Sequence, residues 1–275
     1  MVEPVEPLSR RRLLAAAGAG AVGALAGCTA PGLSTQVEES FEVTPSDATG
    51  ARVSNRNGGV TVRAGEGEAV RVEVVKRGFN VDEDVLDRVT VNRSVTDGVL
   101  TLEAVYPPGV NRVTTDLTVE LPSSMALLLA ETTNGGVDAE GVSGDATLRA
   151  SNGGVRAAGM PGFLTLAAGN GGVSASDVGG IDGVTAGNGG IDVEIPAIRG
   201  DTEVSASNGS IDAAVAPDLD AALEARVTNG GVDVSGLELT DATVSPTRVA
   251  GTLGDGGPSL TLRAGNGGID VRRLD

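Results

Sequence analysis

From Leu148 onward the chain repeats one alternation of apolar and polar positions. The alternation stops at an Asn-Gly pair and resumes beyond it. Four residues before the asparagine stand Leu148, Leu166, Val184, Val204, Ala225 and Leu262. Two before it stand Ala150, Ala168, Ala186, Ala206, Val227 and Ala264, and between these rows lie Arg149, Ala167, Thr185, Ser205, Arg226 and Arg263. Three residues after the asparagine come Val60, Val137, Val155, Val173, Ile191, Ile211, Val232 and Ile269, all β-branched. A period of two marks a strand with one buried face. Each repeat therefore predicts a strand, an Asn-Gly corner, a second strand and a looser Gly- or Pro-bearing corner.

The corners begin at Asn57, Asn134, Asn152, Asn170, Asn188, Asn208, Asn229 and Asn266, read here as structural turns. From Asn134 the successive spacings are 18, 18, 18, 20, 21 and 37 residues. Asn-Gly is a strong hairpin signal, because both residues tolerate positive φ. A hairpin meander, however, has no reason to keep one residue in phase. Stacked coils do, since each asparagine would lie about 4.8 Å from the next and could hydrogen-bond along the stack. The expected fold is all-β: a parallel β-helix, or solenoid, of 18–21-residue coils over residues 131–275, right-handed by the crossover rule. The 37-residue gap reads as two periods, with one coil near Val244 to Val249 lacking its turn motif.

Residues 37–130 depart from the repeat. "VTVRAGEGEAVRVEVV" and "VTDGVLTLEAVY" read as antiparallel strands with Asp97-Gly98 as a hairpin turn, and "FNVDEDVLDRVTV" holds one short helical turn. This stretch is expected to form an N-terminal antiparallel β module that closes the first coil.

Composition narrows the chemistry. Of 275 residues, four are aromatic (Phe41, Phe79, Tyr106, Phe163) and none is histidine, which removes the commonest general base and metal ligand. The net charge is −17 and Lys76 is the one lysine, so the chain should repel nucleic acid and anionic membranes. Its Ala, Gly, Val, Asp and Arg bias resembles that of proteins from halophilic archaea, in which acids hold water and salt screens their repulsion.

The first residues read as an address. Ser9-Arg10-Arg11-Arg12-Leu13-Leu14 resembles the twin-arginine export motif, with Arg10 and Arg11 as its pair. It precedes 15 apolar residues, Leu13 to Gly27, too few to span a bilayer, which needs about 20. Leu25-Ala26-Gly27-Cys28 resembles a lipobox, which implies lipid attachment at Cys28, the one cysteine. The expected divisions are a signal peptide over 1–27, a tether over 28–36, the β module over 37–130 and the repeats over 131–275. The expected location is the extracellular face of the cell membrane.

"LTVELPSSMALLLAETTNGGVDAEGVSGDATLRASNGGV" (Leu117 to Val155) and the closing "LTLRAGNGGIDV" resemble a widespread β-strand-repeat family known as putative adhesins. Its pattern is a strand ending in an apolar residue plus Pro, here Leu121-Pro122, followed by strands alternating with Asn-Gly-Val or Gly-Ile corners. The resemblance covers the chain from about residue 40 onward. It implies architecture and a surface role, and no catalytic residue.

A polysaccharide lyase or hydrolase would need clustered acids and bases in a groove, whereas the acids here are spread over outward columns. No catalytic residue and no cofactor are expected. "GNGGID" departs from calcium-binding nonapeptides, since Asn188 and Glu194 occupy positions where that repeat needs glycine and a large apolar residue. Arg149, Arg226 and Arg263 read as partners for neighbouring acids. Asp192, Asp212 and Asp233 are expected to stack on consecutive coils, screened by salt or, in a sharper reading, holding calcium or magnesium. The function expected is a non-enzymatic, lipid-anchored surface scaffold for display or adhesion to a surface protein or glycan. A surface cation- or glycan-binding module is the alternative.

Overall fold

The computed structural model describes residues 34–44 and 47–275. The described backbone is all-β, with 23 strands and one five-residue helix, Glu83–Asp87. The strands form two sheets, of eleven and twelve strands, in which long parallel runs dominate. From Ala126 the chain visits the sheets in turn. Ala126–Asn134, Ala146–Asn152, Phe163–Asn170, Gly180–Asn188 and Thr202–Asn208 lie side by side in the larger sheet. Val137–Glu140, Val155–Ala158, Val173–Ser176, Ile191–Ile195 and Ile211–Val215 lie side by side in the smaller.

Equal repeat positions face each other across these parallel neighbours: Leu148 pairs with Leu166, Val184 with Val204, and Ile191 with Ile211. Where the spacing departs from 18, the surplus leaves the ladder. In the 20-residue step the extra residues lie in the loop between Ile195 and Thr202. Separately, a bulge between Leu164 and Thr165 leaves Asp182 out of the ladder although its corners are 18 apart. The alternating apolar residues close one core between the sheets. Leu148, Leu166, Val184, Val204, Leu262, Val173, Ile191, Ile211 and Ile269 are at most 2% exposed. Each such side chain contributes about 1.5–3 kcal/mol through burial. The alanines beside them keep the two inner faces close.

The corners carry the tightest constraint. The first glycine of each has φ between +120° (Gly58) and +157° (Gly171), while the preceding asparagines stay outside the positive-φ region. Glycine alone therefore makes the turn, contrary to the expectation that asparagine shares it. A Cβ on Gly189 would lie 2.2 Å from the carbonyl oxygen of Gly171 in the neighbouring corner. The second glycine is under no such demand: Gly190 has no positive φ, and Ser210 fills the same position one repeat later.

Both ends depart from sequence order. The final unit, Ser259–Asn266 with Ile269–Arg273, inserts between the Asn208 and Asn229 units and pairs in parallel with both. The 37-residue gap is thus not a coil without its corner. Thr240–Ser245 and Arg248–Leu253 form an antiparallel hairpin laid against Ala221–Asn229, and this hairpin ends the larger sheet. Its turn stands in for a further corner. The Pro246 carbonyl accepts from the Val232 N–H at 3.0 Å, as the Gly190 carbonyl does from the Val173 N–H.

At the other end the Asp97-Gly98 hairpin and the short helix form as expected. Val60–Gly65 and Val70–Phe79 do not pair. Val113–Pro122 inserts between them, parallel to the first and antiparallel to the second. Val60–Gly65 continues in register onto Val137–Glu140, and Gly50–Asn57 onto Ala126–Asn134, a strand that itself crosses residues 130 and 131. Beyond Val70–Phe79 lies the edge strand Ser34–Val43, whose Glu39 meets Lys76 of Val70–Phe79, 2% exposed, at 2.9 Å. Inward charge on a sheet edge discourages pairing with another chain, because a stranger strand would strand those charges unpaired.

The contrast between the two corner glycines gives a test. Gly189→Ala should cost about 2–4 kcal/mol, since both φ and the Gly171 carbonyl resist a methyl group. Gly190→Ala, whose Cβ would meet the Ser210 carbonyl at 3.5 Å, should cost less than about 1 kcal/mol. Urea unfolding of both variants measures this, and equal costs would refute the assignment.

Candidate functional site

Because equal positions face each other, whatever side chain a repeat places outward becomes a row along the stack. The corner asparagines make the longest row. Asn134 donates through Nδ2 to Oδ1 of Asn57 at 2.7 Å, Asn152 to Asn134 at 2.9 Å, Asn170 to Asn152 at 2.8 Å and Asn188 to Asn170 at 2.7 Å. Asn208 donates to Asn188 at 2.9 Å, Asn266 to Asn208 at 2.8 Å and Asn229 to Asn266 at 2.9 Å. All seven bonds point the same way, so each amide polarises the next. The eight asparagines singled out in the sequence are all brought together in this one ladder.

The outward face of the smaller sheet carries a row of acids. Asp192 faces Asp212, Asp212 faces Asp270, and Asp270 faces Asp233, all exposed. The expected trio Asp192, Asp212 and Asp233 is therefore not consecutive: the inserted final unit places Asp270 between Asp212 and Asp233. Among the described residues, no group of three or more acid, Cys or His side chains converges in a way that could hold a metal ion. A row with one carboxylate per strand, about 4.8 Å apart, fans outward and does not enclose a centre.

The opposite face carries arginines. Arg263 faces Arg226, and Arg226 faces Arg248 of the capping hairpin, so three exposed guanidiniums occupy adjacent strands. Arg263 approaches Glu203 at 3.7 Å and Arg248 bonds Glu224 at 3.0 Å. Arg226 forms no ion pair among the described residues. Arg149 lies apart, opposite Glu131 and Ala167. Asp270 and Arg248 were missed from sequence. Asp270 was recoverable, since "GNGGID" recurs at its corner, whereas Arg248 belongs to no repeat.

Two further clusters are structural. Arg199 bonds Asp182 at 2.9 Å and Asp145 at 2.5 Å and lies 4.6 Å above the Phe163 ring, clamping successive loose corners. The Asp145 carboxyl is held below its ordinary range, first by the Phe163 backbone N–H and then by Arg199. At the first corner the Tyr106 hydroxyl donates to the Asn57 carbonyl at 2.6 Å, and burial raises its pKa. A shallow groove of about 570 Å³ runs over Gly59, Gly136, Gly154 and Gly172, with Asp138 and Arg156 at its rim. Cys28, Arg10 and Arg11 lie outside the described residues. No described helix is long and apolar enough to cross a membrane.

No protein-family model matches the chain. No curated protein matches it either. Several solved structures are similar. A putative cell adhesion protein from Clostridium sporogenes is 13% identical, over 87% of this chain and 100% of its own, with a TM-score of 0.36. A putative adhesin from Parabacteroides distasonis is 15% identical, over 86% of this chain and 97% of its own, at 0.40. A putative lipid binding protein from the same organism is 14% identical, over 85% and 96%, at 0.32.

Asn170→Ala removes two rungs of the ladder and should destabilise by about 1–2 kcal/mol. Asn229→Ala removes one terminal rung and should cost about half as much. Thermal melts of the pair check whether cost follows rung count. Asp145 provides a pH test. Its lowered carboxyl stabilises the fold above the ordinary carboxylate pKa of about 3.9 and loses that contribution as pH falls through the lower folded value. Asp145→Asn should lower the melting temperature at neutral pH, and the difference between the two proteins should shrink as the pH falls through the lowered carboxyl value.

Proposed function

We propose that the protein is a lipid-anchored, non-enzymatic display scaffold of the cell surface: a right-handed, two-sheet parallel β-solenoid tethered through Cys28. Alternation of the chain between two parallel sheets supports the solenoid reading, and the crossover rule supplies the hand. The observation that carries the role is the arrangement of charge. The repeat sets exposed side chains in straight rows on two broad faces, an aspartate row on one and an arginine row on the other, each beside columns of mixed charge. Rows of this kind suit attachment to an extended partner, a surface protein or glycan, better than chemistry on a small substrate, which calls for groups converging on one atom.

The aspartate row favours a second reading, a module that binds cations or glycans at the surface. Calcium-dependent melting that Asp270→Asn abolishes would select it.

The anchor follows from the twin arginines and the single cysteine in Leu-Ala-Gly-Cys. Cell fractionation tests it. The native chain should sediment with membranes, and Cys28→Ser should release it to the medium or leave it unprocessed. Arg10→Lys with Arg11→Lys should block export of the folded chain. Membrane retention unchanged by Cys28→Ser would overturn the anchored reading.

A further inference from the structure

The two charged rows have the same repeat and opposite sign, and we propose that they are the two halves of one self-association contact. Arg263, Arg226 and Arg248 of one copy dock on Asp212, Asp270 and Asp233 of a second copy. Both rows carry one charge per strand, so both repeat at the strand spacing of about 4.8 Å. A flexible partner would have to be ordered to meet such a row. A second copy presents the matching spacing already fixed.

The rows also match in place. Arg263 stands three residues before Asn266 and Asp270 four residues after it, on the two strands that leave that corner. They therefore lie back to back on opposite faces, at similar distances from the same edge of the molecule. A copy displaced along the sheet normal brings its basic row over its neighbour's acidic row. With an offset of one strand, Arg263 meets Asp212, Arg226 meets Asp270 and Arg248 meets Asp233. In the adjoining columns the same offset sets Glu224 against Arg272 and Glu203 against Glu194, one further attraction and one repulsion. Gly265, Ala214 and Ser235 beside the rows are small, so little obstructs close approach of the faces. Arg226, the middle arginine, forms no ion pair within its own chain among the described residues.

Such a contact is heterologous, so it adds copies in an open series. It names the partner for the display role and rests on that reading for its place on the cell. Salt sets its strength in two directions. At a net charge of −17 the copies repel at long range, and about 0.15 M salt confines that repulsion to roughly 8 Å. Around 1 M salt the screening length falls to about 3 Å and weakens the paired rows themselves. Association should therefore peak at intermediate salt.

The test is sedimentation of the purified full chain carrying Cys28→Ser, so that no lipid contributes, with circular dichroism confirming that each variant is folded. Expected are dimers and larger species near 0.15 M salt, fewer at about 0.01 M and about 1 M. Arg226→Asp alone and Asp270→Arg alone should each stay monomeric. An equal mixture of the two, and the double variant, should associate again, because the swapped charges face each other. A monomeric parent across the salt range, or single variants that associate like it, would overturn the proposal. So would retention on an immobilised sulfated polysaccharide that Arg226→Asp abolishes and Asp270→Arg leaves intact while the protein stays monomeric. Failure here leaves the cell-surface placement standing, because fractionation of cells tests that separately.

Discussion

The backbone contact at each corner, where the first glycine of one unit lies against the carbonyl of its neighbour, constrains everything else in this molecule. Cβ atoms built on Gly135, Gly153, Gly171, Gly189, Gly209, Gly230 and Gly267 would all fall within 2.4 Å of a neighbouring carbonyl oxygen. No side chain fits there, so the corners stack at the spacing of sheet hydrogen bonds. The corner N–H groups then find partners in the adjacent corner: Gly153 donates to the Asn170 carbonyl and Val155 to the Gly172 carbonyl, both at 2.9 Å. Register follows from this contact. A slip of one residue would place a Cβ against a carbonyl and turn the buried Val and Leu columns out to water.

Fixed register converts sequence columns into rows, and the consequence depends on the chemistry of the column. For asparagine it is favourable, because an amide both donates and accepts and the ladder closes on itself. For aspartate it is unfavourable, because like charges one strand apart repel and no neighbour in the row can donate. The acid row persists because its carboxylates are exposed, where water and salt weaken their interaction. The arginine row tempers the same problem through Glu203 and Glu224 in the adjoining column. The fold is indifferent to which charge is displayed.

What was legible in the sequence was whatever the period determines. The buried columns, the corner positions and the asparagine ladder all depend on a residue meeting its equivalent one repeat away, and spacing records that directly. The Asp97-Gly98 hairpin was legible for a local reason, since both residues adopt positive φ, +51° and +74°. The order of units at the ends was not legible. A period states that units stack, but not that the last unit enters between two earlier ones. That choice is made by edges: the Asn208 unit offers the last unit the same column of apolar residues that it would offer the Asn229 unit. The placement of Asp270 and the adjacency of Arg226, Arg248 and Arg263 follow from this insertion and were hidden with it.

The ends also explain why a repeat of this kind stops. Each sheet would otherwise expose a full edge of unpaired backbone groups, and every added unit would only move that edge outward. At the Asn229 end the Pro246 turn imitates the next corner's carbonyl, and the hairpin behind it runs antiparallel to the stack. Its outer strand, Thr240–Ser245, is exposed throughout and pairs irregularly, so it is a poor template for another strand. At the Asn57 corner, Asp116 accepts the Gly59 N–H at 2.8 Å and also pairs with Arg77. The Tyr106 hydroxyl donates to the Asn57 carbonyl at 2.6 Å, the role that a glycine N–H plays toward the asparagine carbonyl at the other corners. Further out, Lys76 and Glu39 place opposite charges where a growing sheet would need apolar surface. The two ends of the stack are thus finished by different means, while Val232–Ser235 and Thr90–Thr96 remain the outermost strands of their sheets. On the broad faces the aspartate and arginine rows stay exposed.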